Sequence, residues 1–435
     1  MTSQKFQVLE EVTRPAATPQ VTGSVYGHFD HCQNCGKAPL TEVLNFGFHP
    51  PCDALLKASQ LTSRESFYPL MFCRCTHCGL VQINYAVDPK ELFYEEYPYT
   101  TGITTALKQN FHEMAAHLVS TLKIPRGSLV VDIGSNDGTI LSGFKMQGMQ
   151  VWGVEPTGVA QIANDNGIPT TQAFFNGDIA AQIRQDNGPA TLVTAANVFA
   201  HVANLAPAIR GIHHLLADDG TFVSESHYLL PLIETLQYDT IYHEHLRFYS
   251  LKPMIDMMNR YGFQVVDAER IPNHGGSIRV YAKKNGGAQS ERLKALIRDE
   301  ERAGLYDAVT YDKFRERVQR SKWKLMEILS SLKLKGNRIV GLGSPGRSST
   351  IMNYCGIGAD TLDYLAEQTG SLKIGRYSPG THVQVVDEAR MLKEQPEYAL
   401  VLAWHLGDPI LKKLRAKGLR SKYIMPLPDP VILDW

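Results

Sequence analysis

Between about residues 86 and 285, short apolar runs alternate with amphipathic stretches of helical spacing. The runs at 129–133, 151–154 and 191–196 are largely apolar, and the first ends at Gly134. A further run at 220–225 follows a helical stretch, and 278–283 closes the segment as an expected edge strand. This alternation predicts a doubly wound α/β sheet. Residues 291 to about 334 are long, charged and periodic with few breakers, which predicts a helical connector. From Asn337 the α/β pattern restarts with runs at 338–341, 362–366 and 398–403, giving a second, smaller Rossmann-like unit. Residues 1–25 show no periodicity and contain Thr13-Arg14-Pro15-Ala16-Ala17-Thr18-Pro19, as a flexible tail would. The expected organisation is a tail over 1–25, a Cys-rich module over 26–85 and an α/β unit over 86–285. A connector over 286–336 and an α/β unit over 337–435 complete it.

Composition narrows the functional classes. Lys+Arg and Asp+Glu are both 44, so the chain has no surplus of positive charge for a nucleic-acid backbone. The longest apolar stretch, 398–404, is far short of the roughly 20 residues of a membrane span. Met1-Thr2-Ser3-Gln4-Lys5-Phe6 does not begin an apolar leader, and the expected compartment is the cytoplasm. No nucleic acid and no membrane are expected as partners.

The seven cysteines are unevenly placed, with six between Cys32 and Cys78 and the last at Cys355. Cys32-Gln33-Asn34-Cys35 and Cys75-Thr76-His77-Cys78 are two C-x2-C knuckles. Each sets two thiolates on one tight turn, and together they make the tetrahedral sulfur set of a structural zinc. Cys73 is a competing ligand, disfavoured by the symmetry of the knuckles. Four sulfur ligands leave no open position for catalysis. Cys52, Cys73 and Cys355 remain as expected packing residues.

The run at 129–133 leads into Gly134-Ser135-Asn136-Asp137-Gly138-Thr139 and then a helix. Asp132 ends the strand, and Gly134 and Gly138 allow close approach of a ligand to the backbone. Glu155 ends the next strand 23 residues later, where an acid can take a ribose diol. The third glycine of the dinucleotide fingerprint is missing. The pattern resembles the S-adenosylmethionine loop of class I methyltransferases. Asp132, Gly134, Ser135, Asn136, Gly138, Glu155 and Asn197 are therefore the candidate cofactor residues.

Tyr242-His243-Glu244-His245, taken alone, fits metal ligands, an acid–base pair or a solvated turn. Its context is more specific. The zinc knuckles, the glycine loop, His201 in Asn197-Val198-Phe199-Ala200-His201-Val202, the histidine string and Asn273-His274-Gly275-Gly276-Ser277-Ile278-Arg279 follow in one order. Asn353-Tyr354-Cys355-Gly356-Ile357, Pro379-Gly380-Thr381-His382 and Tyr423-Ile424-Met425-Pro426-Leu427-Pro428 come later. From about Cys32 to Leu433 the chain resembles the zinc-containing sugar C-methyltransferases of deoxysugar biosynthesis, which act on nucleotide-linked 4-keto sugars.

The resemblance implies a zinc module, a central class I methyltransferase domain and a C-terminal domain that helps bind a nucleotide sugar. It implies S-adenosylmethionine as methyl donor and a carbon next to the ketone, C3, as acceptor. A sulfonium methyl goes to carbon only when that carbon is nucleophilic, so a proton must first leave to form an enolate. A histidine base suits that step near neutral pH. The family pattern implies His245 as the base, with Glu244 and Tyr242 orienting the sugar and His201 contacting the ketone or a neighbouring hydroxyl. His243 is expected to face away. A tyrosine of the 97–101 segment also belongs to the implied site, Tyr99 rather than Tyr97. Tyr97, His274, Gly276 and Ser277 are candidate substrate contacts. The chain is expected to be a monomer.

Gly341-Leu342-Gly343-Ser344-Pro345-Gly346 is a full G-x-G-x-x-G after a strand, and Glu367 lies 21 residues past Gly346. Alone it reads as a dinucleotide fingerprint, so an NAD-linked oxidoreductase of a nucleotide sugar is the alternative function. A non-catalytic zinc scaffold is a third. The resembling family usually carries Gly-x-Gly-Ala-Pro-Ala-Lys-Gly here, where this chain has Arg347 in place of the lysine. Ala403-Trp404-His405-Leu406 also departs from the family's Trp-Asn pair. Arg347 at a helix N-terminus is expected to help hold a sugar diphosphate, with Lys373, Arg376 and Tyr377 as further candidates.

Overall fold

The computed structural model describes residues 26–93 and 105–434. The tail over 1–25 and the segment holding Tyr97 and Tyr99 lie outside the described residues.

The central sheet has seven strands in the order Gln264–Ile271, Ser277–Lys283, Leu216–His227, Ala190–Ala196, Leu129–Ile133, Gln150–Glu155 and Thr170–Gln172. Leu216–His227 through Thr170–Gln172 pair in parallel, and Ser277–Lys283 runs antiparallel between its two neighbours. All residues of Leu129–Ile133 are buried, as a central parallel strand covered by helices on both faces requires. One expectation is corrected here. Ser277–Lys283 is an interior strand, and Gln264–Ile271 forms the edge. The edge strand was obscured because Gln264, Asp267, Glu269 and Arg270 break its apolar run.

The N-terminal sheet is built from Thr41–His49, Tyr68–Arg74 and Val81–Ile83, and its fourth strand is Arg247–Phe248 from the central segment. Arg247 pairs with Gln82 and Phe248 with Val81. The chain immediately after His245 is thus knitted into the Cys-rich module. The C-terminal sheet runs Val385–Asp387, Leu365–Glu367, Ile339–Leu342, Tyr398–Val401, Lys422–Met425 and Val431–Leu433. Its first five strands are parallel and the last is antiparallel.

The helical connector is two helices, Glu291–Arg302 and Ala308–Leu334, broken where Gly304 adopts φ +63°. The longer helix buries Tyr311, Phe314, Val318, Ser321, Leu325, Leu329 and Leu332, an i, i+3, i+4 stripe. Phe314 lies 6.0 Å from Phe72 of the Cys-rich module, and the Arg74 guanidinium covers the Tyr311 ring at 5.2 Å. One continuous apolar core takes residues from the module, the central sheet, both helices and the C-terminal unit. That shared core fixes the three parts around the site.

Candidate active site

The four knuckle cysteines converge. Their sulfurs lie within 4.8 Å of one another, with Cys32 Sγ to Cys78 Sγ at 3.5 Å and Cys35 Sγ to Cys75 Sγ at 3.6 Å. A tetrahedron with Zn–S bonds of about 2.3 Å has edges of roughly 3.8 Å, so the set fits zinc closely. Backbone turns hold each knuckle: Gly36 N–H donates to Cys32 O at 2.9 Å and Gly79 N–H to Cys75 O at 3.1 Å. Cys73 is outside the group; its thiol faces the Met71 carbonyl at 3.8 Å.

The loop after Leu129–Ile133 is shaped for a nucleoside. Gly134, Asn136 and Gly138 all take positive φ, at 67°, 51° and 78°. A Cβ on Gly134 would come within 2.4 Å of Val198 Cγ2, so only glycine passes there. The Glu155 carboxylate accepts from the amides of Asn136 at 3.1 Å and Thr157 at 3.0 Å, which ties the second strand end to the loop. Asp132 accepts from Thr194 Oγ1 at 2.6 Å, and burial lifts its carboxyl to about 7. Among the described residues, Asp132 Oδ2, Ser135 Oγ and Asn197 Oδ1 are buried without a hydrogen-bond partner. Buried polar atoms are normally bonded, so three orphans around one glycine loop fit the polar edge of a bound nucleoside. The residues present therefore suit S-adenosylmethionine.

The strand Leu216–His227 and the string after the turn Tyr238–Thr240 bring the histidines together. His245 is buried; Nδ1 lies 2.8 Å from the Thr240 carbonyl and Nε2 lies 3.1 Å from Tyr242 Oη. A carbonyl can only accept, so Nδ1 carries the proton and Nε2 is the acceptor. Burial, then the nearby His201, holds His245 well below the usual histidine range and hence neutral. His201 and His227 flank it, each with ring centroids 4.9 Å away. His201 Nδ1 lies 3.9 Å from Glu244 Oε2, and burial lowers His201 to about 4. His274 completes the group, 5.6 Å from His227, at φ 56° in the turn Asn273–Gly275. This is a cluster of neutral imidazoles at the carboxyl ends of the central strands, where open α/β sheets bind ligands. His243 turns toward the zinc module and lies 3.2 Å from the Pro69 carbonyl.

The structure adds residues that sequence reasoning missed. His227 ends a parallel strand at the ligand side of the sheet, and that position was the available signal. Cys52, expected to be a packing residue, donates its thiol to Glu244 Oε1 at 3.2 Å. No local pattern links positions 192 residues apart.

The C-terminal candidates Arg347 and Lys373, expected to offer charge to an anion, each meet a buried carboxylate. Arg347 donates from Nε and Nη2 to Asp239 at 2.7 and 2.8 Å, and Lys373 Nζ lies 2.6 Å from Asp53. Asp53 also covers the mouth of the second glycine loop: a Cβ on Gly346 would lie 3.0 Å from its Oδ2. A carboxylate there occupies the helix N-terminus that a dinucleotide pyrophosphate needs. Arg376 is half-buried, and Tyr377 exchanges backbone hydrogen bonds with Leu56 at 2.9 and 3.0 Å. Gly276 and Ser277 sit beside His274, with Gly276 O accepting from Tyr228 N–H at 3.1 Å and Ser277 Oγ bonding Asn273 O at 3.1 Å.

Comparison with known proteins decides the family. Three family models match: a zinc binding domain over 32–93, a methyltransferase domain over 106–268 and a C-methyltransferase C-terminal domain over 272–428. The chain is 30% identical over 411 residues to the C-methyltransferase NovU of Streptomyces niveus, covering 93% of this chain and 97% of that protein. The chain belongs to the S-adenosylmethionine-dependent C-methyltransferases. Among solved structures, it is similar to magnesium protoporphyrin IX methyltransferase from Synechocystis PCC 6803 with bound SAH (15% identity, 41% of this chain and 87% of that one, TM-score 0.32). It is also similar to the YcgJ protein of Bacillus subtilis (16% identity, 40% and 100% covered, TM-score 0.32). In this C-methyltransferase the glycine loop lies within the matched methyltransferase domain, and the four converging cysteines lie within the matched zinc binding domain. Among the described residues no helix is long and apolar enough to cross a membrane.

Proposed function

We propose that this C-methyltransferase methylates the carbon next to the ketone, C3, of a nucleotide-linked 4-keto sugar through an enolate. The observation that carries the reading is His245. It is a buried neutral imidazole with Nδ1–H committed to Thr240 O and Nε2 as the acceptor, met by Tyr242 Oη, which a bound sugar would displace. The proton alpha to the ketone moves to Nε2, and its C–H electron pair becomes the enolate. The Thr240 carbonyl continues to hold Nδ1–H and so stabilises the imidazolium that forms. Tyr242 and Glu244 orient the sugar, and His201 contacts the ketone or a neighbouring hydroxyl, where negative charge develops. His274, Gly276 and Ser277 line the sugar pocket. S-adenosylmethionine, when bound, would supply the electrophilic methyl that the enolate carbon takes from its sulfur.

The test is incubation of the enzyme, S-adenosylmethionine and a panel of dTDP-, UDP- and GDP-linked 4-keto-6-deoxyhexoses, with products read by mass spectrometry and NMR. We expect a C3-methyl product with at least one of them. His245→Ala should abolish turnover while S-adenosylhomocysteine binding stays nearly intact. Retained turnover would remove His245 from the base role, and no product across the panel would remove the sugar reading.

A further inference from the structure

Cys52 and Asp53 belong to the segment matched by the zinc-domain model, yet their side chains sit at the meeting point of all three parts of the chain. Cys52 Sγ lies 3.2 Å from Glu244 Oε1. Asp53 Oδ1 takes the Lys373 ammonium at 2.6 Å, and the same ammonium donates to Ser344 O at 2.9 Å. A Cβ on Gly346 would lie 3.0 Å from Asp53 Oδ2 and 3.3 Å from Cys52 Sγ, so the dipeptide is wedged against the second glycine loop. Further contacts fix the wedge. Leu56 and Tyr377 exchange backbone hydrogen bonds, and Glu65 accepts from Gly380 N–H at 2.6 Å. Cys52 and Asp53 are both buried.

The three oxygen and sulfur atoms of Cys52, Asp53 and Glu244 lie within 4.8 Å, a spacing that a metal could use. The Lys373 ammonium already supplies the cation at Asp53, so the geometry favours a thiol acting as a donor. A thiol hydrogen on Oε1 holds the Glu244 carboxylate in one rotamer and leaves Oε2 facing His201, 3.9 Å from its Nδ1. We propose that Cys52 is a positioning residue: it fixes Glu244 against His201, and through it the zinc module sets the geometry of the catalytic cluster. The Asp53–Lys373 pair anchors the thiol on the C-terminal unit. This inference rests on the reading of Glu244 as part of the substrate site.

The test compares Cys52→Ala, Cys52→Ser and Glu244→Gln in the full-length zinc-loaded enzyme. Turnover is measured on the panel of dTDP-, UDP- and GDP-linked 4-keto-6-deoxyhexoses, together with zinc content and S-adenosylhomocysteine affinity. Cys52→Ala removes the donor and should lower kcat about tenfold, the scale of one hydrogen bond to a charged group, with KM nearly unchanged. Cys52→Ser restores a donor and should recover kcat to within about threefold of the parent. Zinc content and S-adenosylhomocysteine affinity should stay at parental levels in both. Unchanged kcat in Cys52→Ala while Glu244→Gln is impaired would overturn the positioning role and leave the site reading standing. Equal impairment of Cys52→Ala and Cys52→Ser would also overturn it, because bulk rather than donation would be at issue. Full activity of Glu244→Gln would instead overturn the site reading itself.

Discussion

Arg347 offers a direct test of what joins the central and C-terminal units. It sits in the helix Gly346–Cys355 and makes a two-point bond to Asp239, which also accepts from Trp404 Nε1 at 2.7 Å. The side chains of Arg347 and Asp239 are only 7% and 1% exposed, so neither charge has water to fall back on. Arg347→Ala leaves the Asp239 carboxylate buried with the Trp404 N–H still donating to it. Removing one partner of a buried pair costs about 3–5 kcal/mol, a large share of an ordinary stability of roughly 5–15 kcal/mol. Arg347→Lys, with a point charge in place of a planar fork, keeps a cation beside Asp239 and should cost less than Arg347→Ala. The double variant Arg347→Met, Asp239→Leu removes both charges and should be less destabilised than Arg347→Ala alone. Urea unfolding followed by tryptophan fluorescence and circular dichroism gives the midpoints, and the double-mutant cycle gives the coupling. An Arg347→Ala loss under about 0.5 kcal/mol with no coupling to Asp239 would refute the reasoning. The opposite pattern, unchanged stability with lost affinity for the nucleotide sugar, would return Arg347 to the anion-holding role.

Three further outcomes follow from the same geometry. Cys75→Ser should lose bound zinc and unfold the N-terminal module, whereas Cys73→Ser should keep one zinc per chain by elemental analysis; the reverse would exchange the ligands. Gly134→Ala forces a Cβ to within 2.4 Å of Val198 at φ +67°, so S-adenosylhomocysteine affinity by calorimetry should fall at least about tenfold, with partial rescue by adding Val198→Ala; unchanged affinity would separate this glycine from the cofactor. Burial lowers His49 and His243 to about 4 at the face between the zinc module and the histidine string, with His243 also lowering His49. Both are neutral when folded and protonate near pH 6.5 when unfolded, so their stability contribution is complete above that pH and lost as pH falls toward 4. At pH 5 each should cost about 2 kcal/mol, and a flat unfolding midpoint between pH 7 and 5 would contradict it.

Much of this protein is readable along the chain because its physics is local. The strand Leu129–Ile133 is apolar throughout because both faces are covered, and the loop beyond it requires glycine because Val198 leaves no room for a Cβ. The paired knuckles disclose the zinc site because two thiolates on one turn need only C-x2-C. The edge strand Gln264–Ile271 escaped because its charged, half-exposed positions interrupt the apolar signal. What only the tertiary structure decided is which side chains meet. Arg347 and Lys373 look like free cations in sequence, but the fold buries each on a carboxylate more than 100 residues away, since a buried charge is tolerable only when paired. His227 and Cys52 join the histidine string because a strand end and a loop from another module arrive there in space. The sequence by itself determined the parts and their chemistry. The contact between the parts, fixed by long-range packing and charge pairing, was settled only when the chain folded.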